Sequence, residues 1–153
     1  MISNTSVIKT HLRVAQEYAK LSKARRLKVA CLIVKDNRIL SIGINGTPSG
    51  YDNECEDCIY NCIGVCGHID PGVLSTKPEV IHSEANAISF SAKNGIPING
   101  CTMILTHSPC FECSKLIVQS GITEVYYGEQ YRVTEAIKFL IKCNVKVIKI
   151  EEC

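Results

Sequence analysis

His82 and Glu84, two positions apart in "IHSEAN", and Cys110 and Cys113, three apart behind Pro109 in "SPCFEC", constrain this chain more than any other feature. Two cysteines on the first turn of one helix can converge on a single ion, and the positive end of that helix favours their thiolate form. To bring a histidine from another helix start to the same ion, the fold must hold both starts at one end of a common frame. A sheet with parallel strands and covering helices does this, because open α/β folds build their sites beyond the carboxyl ends of the strands. A catalytic zinc takes three protein ligands and keeps a fourth position for water. His82, Cys110 and Cys113 supply such a set. Glu84 does not share a helix face with His82. It can therefore stand beside the ion, where a carboxylate can take a proton from water and hand it to a leaving group.

The rest of the chain reads as a frame for that site. Residues 6–24 carry Val7, Leu12, Val14, Ala15, Tyr18, Ala19 and Leu21 at roughly helical spacing. Two β-branched runs, 29–34 and 39–44, flank "KDNR" and predict a hairpin with a tight turn at Asp36-Asn37. The stretch from "GTPSG" to "STKPE" is rich in Gly, Pro, Asp, Asn and Cys and reads as one long loop. A helix is expected over 81–94, a buried strand over 101–106, and a helix over 110–120 ended by Gly121. A strand over 124–128, a helix in "RVTEAIKFLIKCN" and a strand in "VKVIKIEE" follow. The expected order is α-β-β-α-β-α-β-α-β in a single domain over 1–153, an α/β fold with a mixed sheet covered by helices.

Composition narrows the function. A chain of 153 residues with 46% hydrophobic content can bury its own core without disulfides. Its 17 basic and 15 acidic residues leave a net charge of +2, which argues against broad binding to nucleic acid or an anionic membrane. No window approaches the roughly 20 apolar residues of a membrane span. The N-terminus lacks the apolar core of a signal peptide. A cytoplasmic location is therefore expected. Ten cysteines in a reducing compartment are more readily metal ligands than bridges.

The pattern His82-Ser83-Glu84 … Pro109-Cys110-Phe111-Glu112-Cys113 is the H-x-E…P-C-x-x-C signature of the zinc deaminases. With "GINGTPSG" (43–50), "HSEANAISFSAKNG" (82–95) and "CTMILTHSPCFECSKLIVQSGITEVYYGEQYR" (101–132), the chain resembles the deoxycytidylate (dCMP) deaminases of the cytidine deaminase superfamily. The resemblance spans most of 29–132. It implies a three-layer cytidine-deaminase-like fold with a central mixed five-stranded sheet. It implies that His82, Cys110 and Cys113 hold zinc and that Glu84 moves the proton while C4 of cytosine gains oxygen and loses ammonia. It places Asn45 at the deoxyribose, Tyr131 by the nucleotide, the Ser83 amide at the pyrimidine O2 and the Ser108 carbonyl at the amino group. Phe90 and Lys93 would lie near the nucleotide, and Arg26 and Lys28 are basic candidates for the 5′-phosphate.

Further expectations rest on the same resemblance. The 43–50 loop implies regulation by dCTP and dTTP, with Mg2+ accompanying a nucleotide effector, in a homo-oligomer, typically a hexamer. Cys55, Cys58, Cys62, Cys66 and His68 have spacings that suit a second, structural zinc, although five candidates exceed four places. Each assignment has a plainer reading: Asn45-Gly46 as a turn, Tyr131 and Phe90 as packing, Arg26 and Lys28 as a solvated face. At the level of function the alternatives are a dCMP/dCTP enzyme, a cytidine, guanine or tRNA deaminase, and an inactive zinc-binding module. The complete ligand set with Glu84 present speaks against the last.

Overall fold

Five consecutive buried residues without a charged or amide side chain, ahead of Lys35, begin the sheet. This strand, β1 (Ala30–Lys35), is followed across a two-residue turn by β2 (Arg38–Ile44). Asp36 and Asn37 take φ of 49° and 61°, the left-handed pair that a tight hairpin turn requires. The computed structural model describes residues 5–59, 73–131 and 134–151.

Before the hairpin lies α1 (Thr5–Ala19). The helical spacing over 6–24 overran the helix itself. At Ser22 the chain leaves, and the Ser22 hydroxyl donates to the Asn45 carbonyl at 2.8 Å, tying the exit to the end of β2. After the hairpin come β3 (Glu56–Ile59) and β4 (Val73–Thr76), then α2 (Ser83–Lys93), β5 (Thr102–His107), α3 (Phe111–Gln119), β6 (Glu124–Glu129), α4 (Glu135–Lys142) and β7 (Lys146–Lys149). The five long-range strands form one sheet in the order β2-β1-β5-β6-β7. β1 runs antiparallel to both neighbours, whereas β5, β6 and β7 are parallel, each crossover made by a helix. This is the expected mixed five-stranded sheet.

One reading is corrected. The stretch from "GTPSG" to "STKPE" is not all loop: β3 and β4 pair antiparallel, with Glu56 opposite Thr76. Cross-strand pairing outweighed the turn-forming composition around it.

Strand alternation splits the core into two layers. Cys31, Ile33, Met103, Leu105, Val125 and Tyr127 face α2, α3 and α4, where Ala87, Ile117 and Leu140 meet them. Ala30, Leu32, Val34, Ile104 and Tyr126 face α1, where Ile8, Leu12, Ala15 and Ala19 close the other side. Each large side chain so enclosed contributes about 1.5–3 kcal/mol of burial free energy. Cys31 and Cys101 sit in this core.

Candidate metal centre and active site

The metal ligands are placed by helix starts. His82 is the N-cap of α2, with extended backbone at φ −70° and ψ 155° and no side-chain capping bond, so its ring is available elsewhere. Two contacts fix this cap. Gly46 and Ile81 form an isolated antiparallel bridge, and the Asn86 amide donates to the Ile44 carbonyl at 2.8 Å. Cys110 is the N-cap of α3, directly beyond β5, and its sulfur accepts from the Cys113 backbone N–H at 3.4 Å. His82 Nδ1 lies 3.4 Å from Cys110 Sγ and 3.5 Å from Cys113 Sγ. All three ligand atoms lie within 4.8 Å of one another. Tetrahedral zinc, at about 2.0–2.1 Å from nitrogen and about 2.3 Å from sulfur, sets nitrogen–sulfur edges of about 3.5 Å. The cluster therefore fits zinc, and it is the one such group among the described residues.

The electrostatics separate the two cysteines. Hydrogen bonding from the Cys113 thiol, reinforced by His82, holds the Cys110 thiol down to about 4. The same bond, with burial and the nearby Glu84 charge, pushes Cys113 well above the ordinary thiol range. The bond to Cys110 raises His82 against the opposing effect of burial. Glu84 is 4% exposed. Burial raises its pKa, partly offset by hydrogen bonds that include the Ser83 hydroxyl donating to Oε2 at 3.0 Å.

His82, Glu84 and Cys110 open onto a cavity of about 640 Å³. Asn45, Ser83, Ser108, Tyr131 and Arg26 line it too. A pocket of this size takes a nucleotide-sized ligand.

Comparison with known proteins decides the family. The model of the cytidine and deoxycytidylate deaminase zinc-binding region matches residues 5–129. The chain belongs to this deaminase family. It is 36% identical to the deoxycytidylate deaminase of Enterobacteria phage T4, over 80% of this chain and 77% of that protein. To the human deoxycytidylate deaminase it is 39% identical, over 80% of this chain and 72% of that one. The crystal structure of dCMP deaminase from the cyanophage S-TIM5, in complex with dCMP and dUMP, superposes with a TM-score of 0.80 at 36% identity. That match covers 94% of this chain and 96% of the other.

Within this deaminase fold, the residues implied by resemblance separate into two groups. Asn45 reaches the cavity, and its carboxamide already accepts from the Val29 N–H at 2.9 Å and donates to the Leu27 carbonyl at 2.8 Å. One N–H and one lone pair remain for a ligand. The Ser108 hydroxyl accepts from the Tyr131 N–H at 2.7 Å, which ties the end of β5 to the segment after β6. Lys28, Phe90 and Lys93 do not line this cavity. Lys93 follows Glu84 by nine positions and Phe90 by six, which at 100° per residue turns both away from the Glu84 face. Lys28 points to a separate cavity with Lys20 and Lys149, and its ammonium donates to the Lys20 carbonyl at 3.2 Å. Cys55 is buried and Cys58 exposed, while Cys62, Cys66 and His68 lie outside the described residues.

Sequence reasoning missed several lining residues. His107, Glu129 and Gln130 stand at the carboxyl ends of β5 and β6, a position that was itself a readable signal. His107 Nε2 lies 3.3 Å from Glu129 Oε2. Glu56 and Thr76 also line the cavity, and no signal marked them, because the segment that holds them read as loop.

Proposed function

We propose that this chain hydrolyses dCMP to dUMP and ammonia, using zinc held by His82, Cys110 and Cys113. One observation carries the reading: His82, Cys110, the buried Glu84 and the nucleotide-contact candidates Asn45, Ser83, Ser108 and Tyr131 line one cavity, with the buried Cys113 completing the ligand cluster behind it. A relative of the same fold, 36% identical, is known in complex with dCMP and dUMP.

Zinc bound there would supply the Lewis acidity that makes water nucleophilic near neutral pH. The protein's own groups do the rest. Glu84 takes a proton from the attacking water and delivers it toward the departing nitrogen, so that the C4–O bond forms, the C4–N bond breaks and ammonia leaves. Its burial suits the task, since a raised pKa brings a carboxylate closer to the operating pH. The Ser83 amide, on the first turn of α2, meets the pyrimidine O2. Asn45 and Tyr131 hold the sugar side, and the Ser108 carbonyl takes the amino group.

Three finer points belong to the same proposal, and the sequence supports them. The chain is a single domain. Four ligands drawn from Cys55, Cys58, Cys62, Cys66 and His68 hold a second, structural zinc. The active form is a cytoplasmic homo-oligomer regulated by dCTP and dTTP through the 43–50 segment, which begins in the last residues of β2. No helix among the described residues is long and apolar enough to cross a membrane.

The test is ammonia release by zinc-loaded protein from dCMP, dCTP, deoxycytidine and cytidine. Wild type is expected to prefer dCMP. Glu84→Gln is expected to lower kcat by roughly 10²–10⁴ with zinc content unchanged. Zinc-loaded wild type that releases no ammonia from dCMP overturns the reading.

A further inference from the structure

A buried carboxylate holds the turn between α1 and β1. The Glu56 side chain, on β3, is 2% exposed. Its Oε1 accepts from the Arg25 backbone N–H at 3.0 Å and the Arg26 backbone N–H at 3.2 Å, and its Oε2 accepts from the Arg25 N–H at 3.1 Å. Thr76 stands opposite Glu56 on β4. Its Oγ1 accepts from Arg26 Nη1 at 2.7 Å. One cross-strand pair of the hairpin thus grips one residue twice: Glu56 holds the Arg26 backbone and Thr76 holds its guanidinium.

The charges are divided unequally across this grip. Arg25 takes the carboxylates, with Glu56 at 3.8 Å and Glu54 at 3.9 Å. Arg26 makes no ion pair among the described residues, and its partner is a neutral hydroxyl. Arg26, Thr76 and Glu56 line the cavity that holds His82 and Glu84. Of the five N–H donors on a guanidinium, the Thr76 bond uses one. The arrangement leaves a fixed cation with a planar donor fork at the pocket wall, the geometry that suits phosphate oxygens.

We propose that Glu56 and Thr76 are positioning residues that aim Arg26 at the 5′-phosphate of the substrate, so that the β3–β4 hairpin selects nucleotide over nucleoside. This rests on the dCMP reading above. The metal centre and Glu84 act on the base, which nucleotide and nucleoside share. Discrimination between the two must come from a group that touches the phosphate.

The experiment measures equilibrium binding of dUMP and deoxyuridine to zinc-loaded protein, beside steady-state kinetics on dCMP and deoxycytidine. Arg26→Gln is expected to weaken dUMP about tenfold to a hundredfold and to leave deoxyuridine within about twofold. Thr76→Val and Glu56→Gln are expected to weaken dUMP selectively by about threefold to thirtyfold, raising KM for dCMP while kcat stays within about twofold. The double variant Arg26→Gln/Thr76→Val is expected to bind dUMP as Arg26→Gln does, since both act through one contact. Equal loss for nucleotide and nucleoside in Thr76→Val overturns the inference, as does a double variant whose losses multiply. Should Glu56→Gln fold poorly, Thr76→Val decides, because Thr76 touches the Arg26 side chain without holding the turn. Wild type that binds dUMP with no dependence on Arg26 overturns this inference alone. Wild type that binds neither dUMP nor dCMP overturns the reading beneath it.

Discussion

A β-carbon on Gly43 would stand 2.0 Å from the carbonyl oxygen of Ser83 and 2.6 Å from the backbone nitrogen of Ala87. The end of β2 and the first turn of α2 are therefore in backbone contact, and only a residue without a side chain permits it. The Ser41 hydroxyl, donating to the Ala87 carbonyl at 2.9 Å, fastens the same contact from one turn away. Because His82 caps that helix, the contact sets where the imidazole points.

Gly43→Ala is expected to push α2 off the sheet. Overpacking of this kind costs about 1–3 kcal/mol, and here the opposing atoms are backbone, which yields least. Denaturant midpoints should fall, and competition with a chelator should show weaker zinc binding. A variant that melts with wild type and keeps its zinc would show that α2 can retreat without moving His82.

The metal-free cluster offers a second test. Cys110 is held down to about 4 and Cys113 is pushed up, so one thiolate and one thiol are present near neutral pH. Thiolate is the reactive form. Iodoacetamide at about pH 6 is expected to modify Cys110 first in zinc-stripped protein, and zinc is expected to protect it. Peptide mass spectrometry reads both. Equal labelling of Cys110 and Cys113 would count against the assigned thiolate.

Most of the frame was legible because its signals were local. Apolar runs gave β1, β5 and β6, Asp36-Asn37 gave the turn, and Gly121 gave the end of α3 with its φ of 78°. The metal cluster was legible because zinc demands particular residue types at particular spacing. The β3–β4 hairpin was not, since four-residue strands beside Gly, Pro and Asn carry little period and gain their stability from each other. Glu56 and Thr76 were hidden with it. Phe90 and Lys93 do not line the cavity that holds Glu84, since closeness in sequence to Glu84 says nothing about helix phase.

The two core layers should differ in what they support. Ile117 lies on the buried face of α3, the helix that carries Cys113, whereas Leu12 lies on α1 across the sheet. Both are fully buried, and either change to Ala is expected to cost about 2–5 kcal/mol. Only Ile117→Ala is expected to weaken zinc as well, because only that cavity lets α3 shift. Zinc affinity measured below the unfolding range of both variants separates them. Equal weakening in Leu12→Ala would mean that the sheet transmits the loss between layers.

His11 gives the pH dependence a source away from the metal. It faces inward on α1, and its Nε2 is buried with no hydrogen-bond partner among the described residues. Burial lowers its pKa below the ordinary histidine value, and a hydrogen bond to the Asn37 backbone offsets part of this. A depressed histidine binds its proton more readily in the unfolded chain. Its stabilising effect is therefore complete above the unfolded value of about 6.5 and is lost as pH falls from there toward the folded value. Zinc-ligand protonation falls in the same direction, so wild type alone is not diagnostic. His11→Leu removes the histidine contribution and leaves the ligands in place. The melting temperature of wild type is expected to fall more between about pH 7.5 and 5 than that of His11→Leu, both at saturating zinc. Parallel curves would show that His11 charges as easily in the folded protein as in the unfolded one.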